Sequence, residues 1–355
     1  MKFDFCIGNP PYQDDRLGDN EGFAPPVYNK FLDAAYEIAD KVEMIHPARF
    51  LFDAGSTPKA WNEKMLNDEH FKVLQYESDS SKVFSNTDIK GGVVISYRDS
   101  NISYGSIGIF TPFIELNKII QKVIKCCNNQ FISSIAVSGY SYHFTEKMHE
   151  DNPEIKKMKI KINGKDSPLL SKGHEYDLKS NIIEKLPMVF LDAKPADSKN
   201  YVRIIGRAGN ERVSKFILRE YINSVINLDK YKIFIPKASG VGAFGEVLGP
   251  SIVVGPATGH TETFYSIGTF DTKTEAESAF KYLKTKFARA LLSVLKTTQN
   301  ITPGNWAYVP LQDFTANSDI DWSKSISEID KQLYKKYKLS PEEINFIETH
   351  VKEMA

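Results

Sequence analysis

The sequence has few cysteines, no long apolar run and no excess of one charge, and each absence narrows what it can encode. Three cysteines, Cys6, Cys126 and Cys127, cannot build a disulfide framework, which predicts a reducing, cytoplasmic location. No stretch of ~18 apolar residues is present, so no transmembrane helix is expected. The start of the chain carries Asp4 and lacks the long apolar core of a signal peptide. The 7 histidines are scattered, and none has zinc-binding spacing with a cysteine.

What is present is an ordinary globular composition with an uneven distribution of charge. Hydrophobic residues make up 41% of the 355 residues, and this length suits about two domains. The 45 basic and 45 acidic residues balance overall, but residues 1–100 carry a net charge of −6 and residues 101–240 a net charge of +8. A basic middle region can hold a polyanion, and it can equally be an ordinary lysine-rich surface.

The first hundred residues alternate short apolar strands with helices. Strands are predicted at 3–7, 42–46, 71–76 and 91–97, and helices at about 27–40 and 60–67. This alternation is typical of a parallel sheet with crossover helices. Residues 102–107 are a candidate hairpin partner of the last strand, which indicates an antiparallel edge.

The rest of the chain changes character twice. A helix at 113–127 leads into a stretch of short strands, glycines and prolines, and helices follow at the capping signals Thr272, Ser325 and Ser340. The first of these is expected to run to about Leu295. We therefore predict an α/β fold in which a partial doubly wound (Rossmann-like) sheet precedes a loop-rich α+β domain and C-terminal helices. The predicted boundaries are 1–127, 128–310 and 311–355.

The tetrapeptide Asn9-Pro10-Pro11-Tyr12 follows the first predicted strand and carries the clearest chemistry. Two consecutive prolines fix φ and remove two donors, so the backbone is rigid and rich in carbonyls. The Asn9 side-chain oxygen and the Pro10 carbonyl can accept both N–H bonds of an exocyclic amino group, which favours its attack on a methyl donor. Tyr12 offers a flat face for an extruded base. The alternative interpretation is a simple turn, because Asn and Pro are ordinary turn residues.

Residues 4–13 resemble the catalytic motif of gamma-class adenine-N6 DNA methyltransferases, the enzymes of type II and related restriction–modification systems. Residues 45–51 and 83–93 are similar, in order, to two later segments of that family, and looser similarity begins at Ile235. The resemblance implies that Asn9, Pro10, Pro11 and Tyr12 are catalytic and that Tyr12 and Phe84 stack on a flipped adenine. Without the family, Phe84 is equally a core phenylalanine. By the same resemblance, residues 1–127 are a partial catalytic domain and residues 128–310 a DNA target-recognition domain.

The resemblance also implies S-adenosylmethionine as cofactor, but its binding half is not recognisable in this sequence. In the gamma class that half precedes the catalytic motif, and here eight residues precede Asn9. The segment Gly240-Val241-Gly242-Ala243-Phe244-Gly245 has G-x-G-x-x-G spacing, but a strand rather than a helix is predicted after it, so a DNA-facing loop is the better interpretation. We expect a fragment, a degenerate remnant, or a half that pairs with a second chain carrying the cofactor site.

Double-stranded DNA is the expected partner, and the basic stretch 201–240 provides the candidate contacts. Arginine suits bidentate bonds to phosphate or guanine. A solvated surface is the alternative interpretation. The candidate DNA-binding residues are Arg203, Arg207, Arg212 and Lys215, with Lys237, Ser239, His260 and Thr261 as weaker ones.

Two other functions agree with parts of the sequence. Asp177, Asp192 and Lys194 loosely suggest a metal-dependent nuclease site, since related restriction enzymes fuse cutting to methylation. Alternatively, the chain is a DNA-recognition module with a vestigial catalytic motif. The target DNA sequence cannot be read from the chain, because loop contacts follow no simple code.

Overall fold

Alternating apolar residues at the start of the chain form the edge strand of a sheet in the computed structural model of this protein. The structure describes residues 3–14, 24–52, 55–89, 91–162, 165–296 and 299–354. It is a mixed α/β fold in two compact units, 1–117 and 118–355. No helix among these described ranges is long and apolar enough to cross a membrane. The three cysteines are free thiols.

The first unit is a four-stranded sheet with two helices, close to the predicted positions. In chain order the elements are β1 (Phe3–Gly8), α1 (Tyr28–Ile38), β2 (Ala39–Pro47), α2 (Lys59–Asn67), β3 (Phe71–Glu77) and β4 (Val93–Asp99). The strand order is β1-β2-β4-β3. Strands β1 and β2 are parallel and joined across α1, whereas β4 is antiparallel to both of its neighbours. This arrangement confirms the α/β character that the sequence predicts.

Helix α1 packs on the sheet because its apolar residues recur at helical spacing. Ala35 clusters with Val42 and Met44 of β2, and Leu32 joins the larger core of the unit. Aromatic side chains from three further segments complete that core: Phe50, Trp61 and Phe71. Burying a side chain of this size stabilises the fold by ~1.5–3 kcal/mol.

Two predictions for this unit are wrong. Residues 102–107 do not form a strand beside β4, because β4 already pairs with β2 on one side and β3 on the other. The segment instead contacts the loop between α2 and β3, where the Tyr104 N–H donates to the Glu69 carbonyl at 2.7 Å. The antiparallel strand is therefore central in the sheet and not at its edge.

Strand β1 leaves large apolar side chains in solvent. Phe3, Phe5 and Ile7 are 57%, 58% and 73% exposed. Among the described strands β1 pairs with β2 alone, so its other edge keeps unpaired backbone donors and acceptors. The Lys41 ammonium lies 5.0 Å from the centre of the Phe5 ring and gives partial cover.

The remaining elements begin with α3 (Ile114–Cys126), in which the boundary between the two units falls. They continue with β5 (Ala136–Val137), α4 (Glu146–Asp151), β6 (Lys159–Ile162), β7 (Lys165–Pro168), α5 (Ile182–Lys185), β8 (Tyr201–Ala208), β9 (Glu211–Leu218), β10 (Tyr231–Pro236), β11 (Ile252–Val254), β12 (Thr258–His260), β13 (Phe264–Phe270), α6 (Lys273–Lys284), α7 (Lys286–Leu292), α8 (Ile326–Lys336) and α9 (Pro341–His350). The sheets have the orders β11-β10-β13-β5, β12-β8-β9 and β6-β7.

Strand β8 has apolar residues on both faces because it lies between two hydrophobic clusters. Val202 and Ile204 belong to one cluster, and Ile205 joins Phe234 and Phe264 in the other. Strand β8 pairs with β9 in an antiparallel hairpin and with β12 in parallel. This central position decides which polar residues nearby can reach solvent.

The helix predicted from Thr272 to about Leu295 is two helices, α6 and α7. Thr272 caps α6 as predicted, with its side chain accepting from the Glu275 N–H at 3.2 Å. The break comes at Thr285, whose hydroxyl donates to the Tyr282 carbonyl at 2.6 Å and accepts from the Ala288 N–H at 3.1 Å. One threonine therefore ends the first helix and caps the second.

Both C-terminal helices begin with the capping boxes that the sequence predicts. The Ser325 side chain accepts from the Glu328 N–H at 3.3 Å, and the Glu328 carboxylate accepts from the Ser325 N–H at 3.1 Å. Ser340 and Glu343 repeat the arrangement at α9. Helix α8 packs against α6 and α7, and α9 packs against α7.

We expect Ser325→Ala to lower the free energy of unfolding of the second unit by about 1 kcal/mol, because the Glu328 N–H in the first turn of α8 loses its acceptor. Urea denaturation followed by circular dichroism measures this loss. Ser327, exposed in the first turn of the same helix, is the control, and Ser327→Ala should cost nothing. Equal losses at both positions would contradict the capping argument.

Candidate active site and nucleic-acid interface

Three chain segments meet at one edge of the first sheet. Strands β1 and β2 are parallel with Gly8 opposite Met44, so the residues after each strand leave at the same edge. Pro47 at the end of β2 lies opposite Val93 at the start of β4, and Glu77 at the end of β3 does the same. The β3–β4 loop therefore joins the tetrapeptide and the segment after β2 at this edge.

The tetrapeptide presents Asn9 to solvent on a held backbone. Asn9 is exposed and Pro10 is buried. The Tyr12 carbonyl accepts from the Val27 N–H at 3.2 Å, which ties the end of the segment to the start of α1. Within the described ranges the Asn9 side chain has no hydrogen-bond partner. Its oxygen is therefore available to an incoming donor.

Tyr12 and Phe84 lie next to each other, although they are far apart in the sequence. Their ring centres are 6.3 Å apart with an angle of 67° between the planes. This edge-to-face arrangement leaves no parallel slot, so one ring must turn before both can stack on the same base. The Tyr12 hydroxyl is buried without a hydrogen-bond partner, and burial raises its pKa to about 12.

Ser80 holds the loop that carries Phe84. Its hydroxyl accepts from the Ile89 N–H at 2.8 Å and donates to the Thr87 carbonyl at 3.1 Å, and its carbonyl accepts from the Phe84 N–H at 2.8 Å. Ser80 is 4% exposed. The sequence analysis missed this residue, because nothing local shows that one serine closes a ten-residue loop.

A cavity of ≈ 350 Å³ lies beside Tyr12. Its walls come from separate segments and combine aromatic rings with polar groups, among them Tyr12, Tyr28, Pro47, Arg49, Thr57 and Asp88. The sequence analysis did not find this cavity, because its lining residues are brought together only by the pairing of the strands.

His46 is a buried residue that packs against Tyr28 in the cavity wall. It is fully buried, stacked on Tyr28 with ring centres 5.5 Å apart, and its Nε2 lies 2.7 Å from the Ser96 hydroxyl oxygen. Burial lowers the pKa of His46 to about 4. The ring is therefore neutral at neutral pH and serves the packing of the site.

The glycine loop after β10 is closed by its own carboxylate. Glu246 accepts from the N–H groups of Val241 at 2.9 Å and Gly242 at 3.1 Å, and it forms an ion pair with Lys296. A Cβ added at Gly240 would lie 2.2 Å from the Glu246 carboxylate. The loop leads into β11 and not into a helix, as the sequence predicts. Three of its backbone donors are thus occupied, since the Gly245 N–H also donates to the Ser293 hydroxyl at 2.9 Å, and no helix follows to complete a cofactor-binding loop.

The predicted DNA contacts on β8 and β9 occupy different environments. Arg207 lies directly opposite Arg212, both are exposed, and in the described part of the chain neither pairs with a carboxylate. Lys215 forms an ion pair with Asp192. Arg203 is half-buried, with a guanidinium nitrogen 3.5 Å from the Thr258 hydroxyl oxygen.

His260 and Thr261 do not reach the surface, which corrects their prediction as DNA contacts. Both are 0% exposed. The parallel pairing of β12 with β8 carries His260 inward, where its ring centre is 4.7 Å from those of Tyr142 and Phe234. Burial lowers its pKa to about 3. A long-range strand pairing, invisible in the local sequence, decides this placement.

Lys237 is accompanied by an aromatic residue that the sequence analysis missed. Its ammonium lies 4.2 Å from the centre of the Tyr140 ring and contacts the Tyr140 hydroxyl. Tyr140 is 51% exposed and Ser239 is half-buried nearby in the chain. Lysine on an exposed aromatic ring is a combination suited to a nucleic-acid backbone and its bases.

The structure does not bring the proposed nuclease residues together. Asp177 has His174 as partner at 2.7 Å, whereas Asp192 is bonded to Lys215. Within the ranges that the structure describes, no three His, Cys, Asp or Glu side chains form a group that could hold a metal ion.

Comparisons with known proteins agree with the resemblance in the first part of the chain. Residues 1–84 match the family model "Eco57I restriction-modification methylase". An "uncharacterized adenine-specific methylase" of Mycoplasma pneumoniae is 32% identical over 120 residues, which are 33% of this chain and 28% of that protein. The N-terminal part of the chain thus carries the methylase signature of restriction–modification systems, as predicted.

A solved structure is also similar, at a level that supports no argument about fold. The type IIG restriction endonuclease BpuSI shares 9% identity and a TM-score of 0.31, over 98% of this chain and 54% of that chain. This chain therefore spans about a quarter of the methylase relative and about half of the endonuclease.

We expect the stability of the first unit to fall between pH 6.5 and about 4 because of His46. The unfolded state takes up a proton near pH 6.5 and the folded state only near pH 4, so stabilisation by the neutral ring is complete above pH 6.5 and is lost as the pH falls. The loss approaches about 1.4 kcal/mol per pH unit. Urea denaturation at several pH values measures it.

His46→Gln should flatten this dependence. His70, half-buried in the same unit, is the control, and His70→Gln should leave the slope unchanged. An unchanged slope in His46→Gln would show that other groups cause the acid sensitivity.

Proposed function

We propose that this chain is the catalytic-motif and target-recognition portion of a site-specific adenine-N6 DNA methyltransferase from a restriction–modification system. The methylase match of residues 1–84 supports the reaction class. The observation that carries the proposal is the tetrapeptide at the sheet edge. Its Asn9 is exposed and has no hydrogen-bond partner among the described residues, and its Tyr12 ring lies 6.3 Å from the Phe84 ring. Residues 1–127 would form part of the catalytic domain, residues 128–310 the recognition domain, and residues 311–355 its helical support.

The chemistry of the tetrapeptide suits an exocyclic amine. A flipped adenine stacked on Tyr12 would donate its two amino N–H bonds to Asn9 Oδ1 and the Pro10 carbonyl. These bonds keep the nitrogen lone pair out of the ring system, so the nitrogen becomes a better nucleophile. The Tyr12 phenol is neutral at neutral pH, because burial raises its pKa to about 12, so it would meet the base as an uncharged ring. Phe84 would turn from its edge-on position to cover the other face.

S-adenosylmethionine is the methyl donor expected for a methylase, but the described residues provide no site that fits it. The donors of the glycine loop are taken by Glu246. The exposed edge of β1, with Phe3, Phe5 and Ile7 in solvent, is the kind of surface that another strand covers. The cofactor site would therefore lie on a further segment or a second chain that completes the sheet at β1, in a Rossmann-like arrangement.

The second unit offers the surface for double-stranded DNA. Arg207 and Arg212 are cations on one hairpin that pair with no carboxylate in the described part of the chain, and Lys237 adds another cation beside Tyr140. Two like charges directly opposite each other destabilise a hairpin unless an anion binds between or beside them. Arg203, Lys215 and Ser239 are partly covered and would contribute less.

A DNA-recognition module with a vestigial motif is the second candidate. The basic hairpin of β8 and β9 favours it as well, since DNA binding there requires no cofactor. One experiment distinguishes the two functions: substitution of Asn9 removes methylation if the motif is active, whereas a vestigial motif has no methylation to lose.

We expect Asn9→Ala, introduced into the gene in its own host, to remove N6-methyladenine from one sequence motif. Loss of one such acceptor should slow the reaction at least ~100-fold, because the lone pair is no longer held on the nitrogen. Single-molecule sequencing of genomic DNA measures the modification and also reveals the target sequence.

Asn67→Ala is the matched control, since Asn67 is exposed in the same unit and lies away from the sheet edge. It should leave the modification unchanged. Full methylation in Asn9→Ala cells would refute an active role for the motif, and DNA binding that survives without any methylation in either strain would favour the recognition module.

We expect Ile7→Glu to abolish the same methylation although it leaves the isolated chain folded. Ile7 is 73% exposed, so the substitution should change the free energy of unfolding by less than about 0.5 kcal/mol. A covering strand would be repelled, because it would have to bury the new charge. Genomic N6-methyladenine and urea denaturation are measured together.

Ile226, 79% exposed in the second unit, provides the control substitution Ile226→Glu. Methylation that persists in Ile7→Glu would show that the β1 edge stays open in the working protein.

A further inference from the structure

We propose that Arg49 binds a backbone phosphate of the DNA strand that carries the target adenine, within the cavity beside Tyr12. The inference rests on the proposed function and adds a binding residue to it. Its basis is the combination of a cavity next to the stacking ring, an arginine held in position, and the absence of a carboxylate partner for that arginine among the residues that the structure describes.

The cavity has the size and lining of a site for part of a nucleotide. Its volume of ≈ 350 Å³ falls within the range of small-ligand pockets, ~300–1,000 Å³. Tyr12, Tyr28 and Pro47 supply apolar walls, while Ser56 and Thr57 supply hydroxyl groups. Tyr12 belongs to this wall and also lies beside Phe84, so a base against the Tyr12 ring would have its sugar and phosphate close to the cavity.

Two glycines fix the stem of Arg49. Gly55 and Gly91 adopt φ values of +93° and +86°, which side chains other than glycine rarely allow. A Cβ at Gly91 would lie 2.6 Å from Arg49 Cγ, and one at Gly55 would lie 3.2 Å from Arg49 Cβ. The backbone therefore closes on the aliphatic part of Arg49 from two sides, and the guanidinium is held at the cavity with less loss of entropy on binding.

The Arg49 guanidinium has no partner among the described residues. In the described parts of the chain Arg49 makes no hydrogen bond or ion pair, and the residue is exposed. Asp88 also lines the cavity, but it already has a partner. Burial raises the pKa of Tyr28 to about 12, and the nearby Arg49 charge opposes this rise, which places the charge close to the cavity wall.

Phosphate is the anion that this geometry favours. A guanidinium presents a planar fork of donors that matches phosphate oxygens, and the exposed Ser56 hydroxyl in the same cavity wall adds a further donor. Arg49 follows β2 at the same sheet edge at which Asn9 follows β1. A DNA strand whose adenine reaches Asn9 therefore passes this side of the edge.

The test compares adenine ligands with and without phosphate on the full chain. Deoxyadenosine, its 5′- and 3′-monophosphates and inorganic phosphate are titrated by ligand-detected NMR into the unaltered chain, Arg49→Ala, Arg49→Lys and Lys30→Ala. Lys30 is exposed on α1 and does not line the cavity, so it serves as the matched control. Thermal melting verifies that each variant is folded.

We expect one monophosphate to bind about tenfold more tightly than deoxyadenosine in the unaltered chain and in Lys30→Ala. Arg49→Ala should remove this gain and Arg49→Lys should keep part of it, and the preferred monophosphate identifies the phosphate on the 5′ or the 3′ side. A gain that is absent, or that survives in Arg49→Ala, would overturn the inference. Inorganic phosphate binding as tightly as the nucleotide would overturn the assignment to a DNA strand.

Two further results separate this inference from the proposed function. Deoxyadenosine binding that is lost in Asn9→Ala, without any gain from phosphate, leaves the proposed function intact and refutes the role of Arg49. If no adenine ligand binds, the adenine site itself fails, and the salt dependence of duplex binding then decides for Arg49. A slope of log K against log salt that falls by about 0.9 in Arg49→Ala would support it, and an unchanged slope would refute it.

Discussion

The parallel pairing of β1 with β2 is the constraint on which the candidate site depends. It sets Gly8 beside Met44, and it therefore sends the segments after both strands out at one edge of the sheet. Strand β4 then returns between β2 and β3, which brings the β3–β4 loop to that edge as well. Tyr12, Arg49 and Phe84 come from three separate parts of the sequence, and this one topology places the Tyr12 ring beside Phe84 and in the same cavity wall as Arg49. A shift of register by one residue in β1 would turn its side chains to the opposite face and move the tetrapeptide with them.

The sequence predicts the helices and strands of the first unit well, because the spacing of apolar residues and the positions of breaking residues such as proline are local properties. Alternation in β1, helical spacing in α1, and the break at Pro47 all lie within a few residues of one another. The order of strands is a long-range property, which explains why residues 102–107 were misplaced beside β4. His260 failed for the same reason, since the loop-like sequence around it does not reveal the pairing of β12 with β8. The aromatic neighbour of Tyr12 was predictable only through the family resemblance.

Charge placement separates the structural ions from those that can bind a ligand. Glu246 accepts from two backbone N–H groups of the glycine loop and forms an ion pair with Lys296. These groups therefore bind one another and not a ligand. Arg289 is likewise buried, with its guanidinium donating to the carbonyls of Gly245 and Glu246. Arg49, Arg207 and Arg212, in contrast, are exposed and have no carboxylate partner among the described residues. An exposed arginine that the fold holds without neutralising is the one available to phosphate.

The open edge strand β1 leads directly into the proposed catalytic motif. Asn9 follows Gly8, the last residue of the strand, and the backbone of that strand is hydrogen-bonded on one side only. A strand paired on one side frays more easily than one paired on both, and fraying at Gly8 would misorient Asn9 directly. Exposed apolar side chains at Phe3, Phe5 and Ile7 make coverage of this edge favourable. A strand that pairs with β1 would therefore also fix the Asn9 side-chain oxygen that the proposed chemistry requires. Completion of the sheet would in this way be linked to methylation activity.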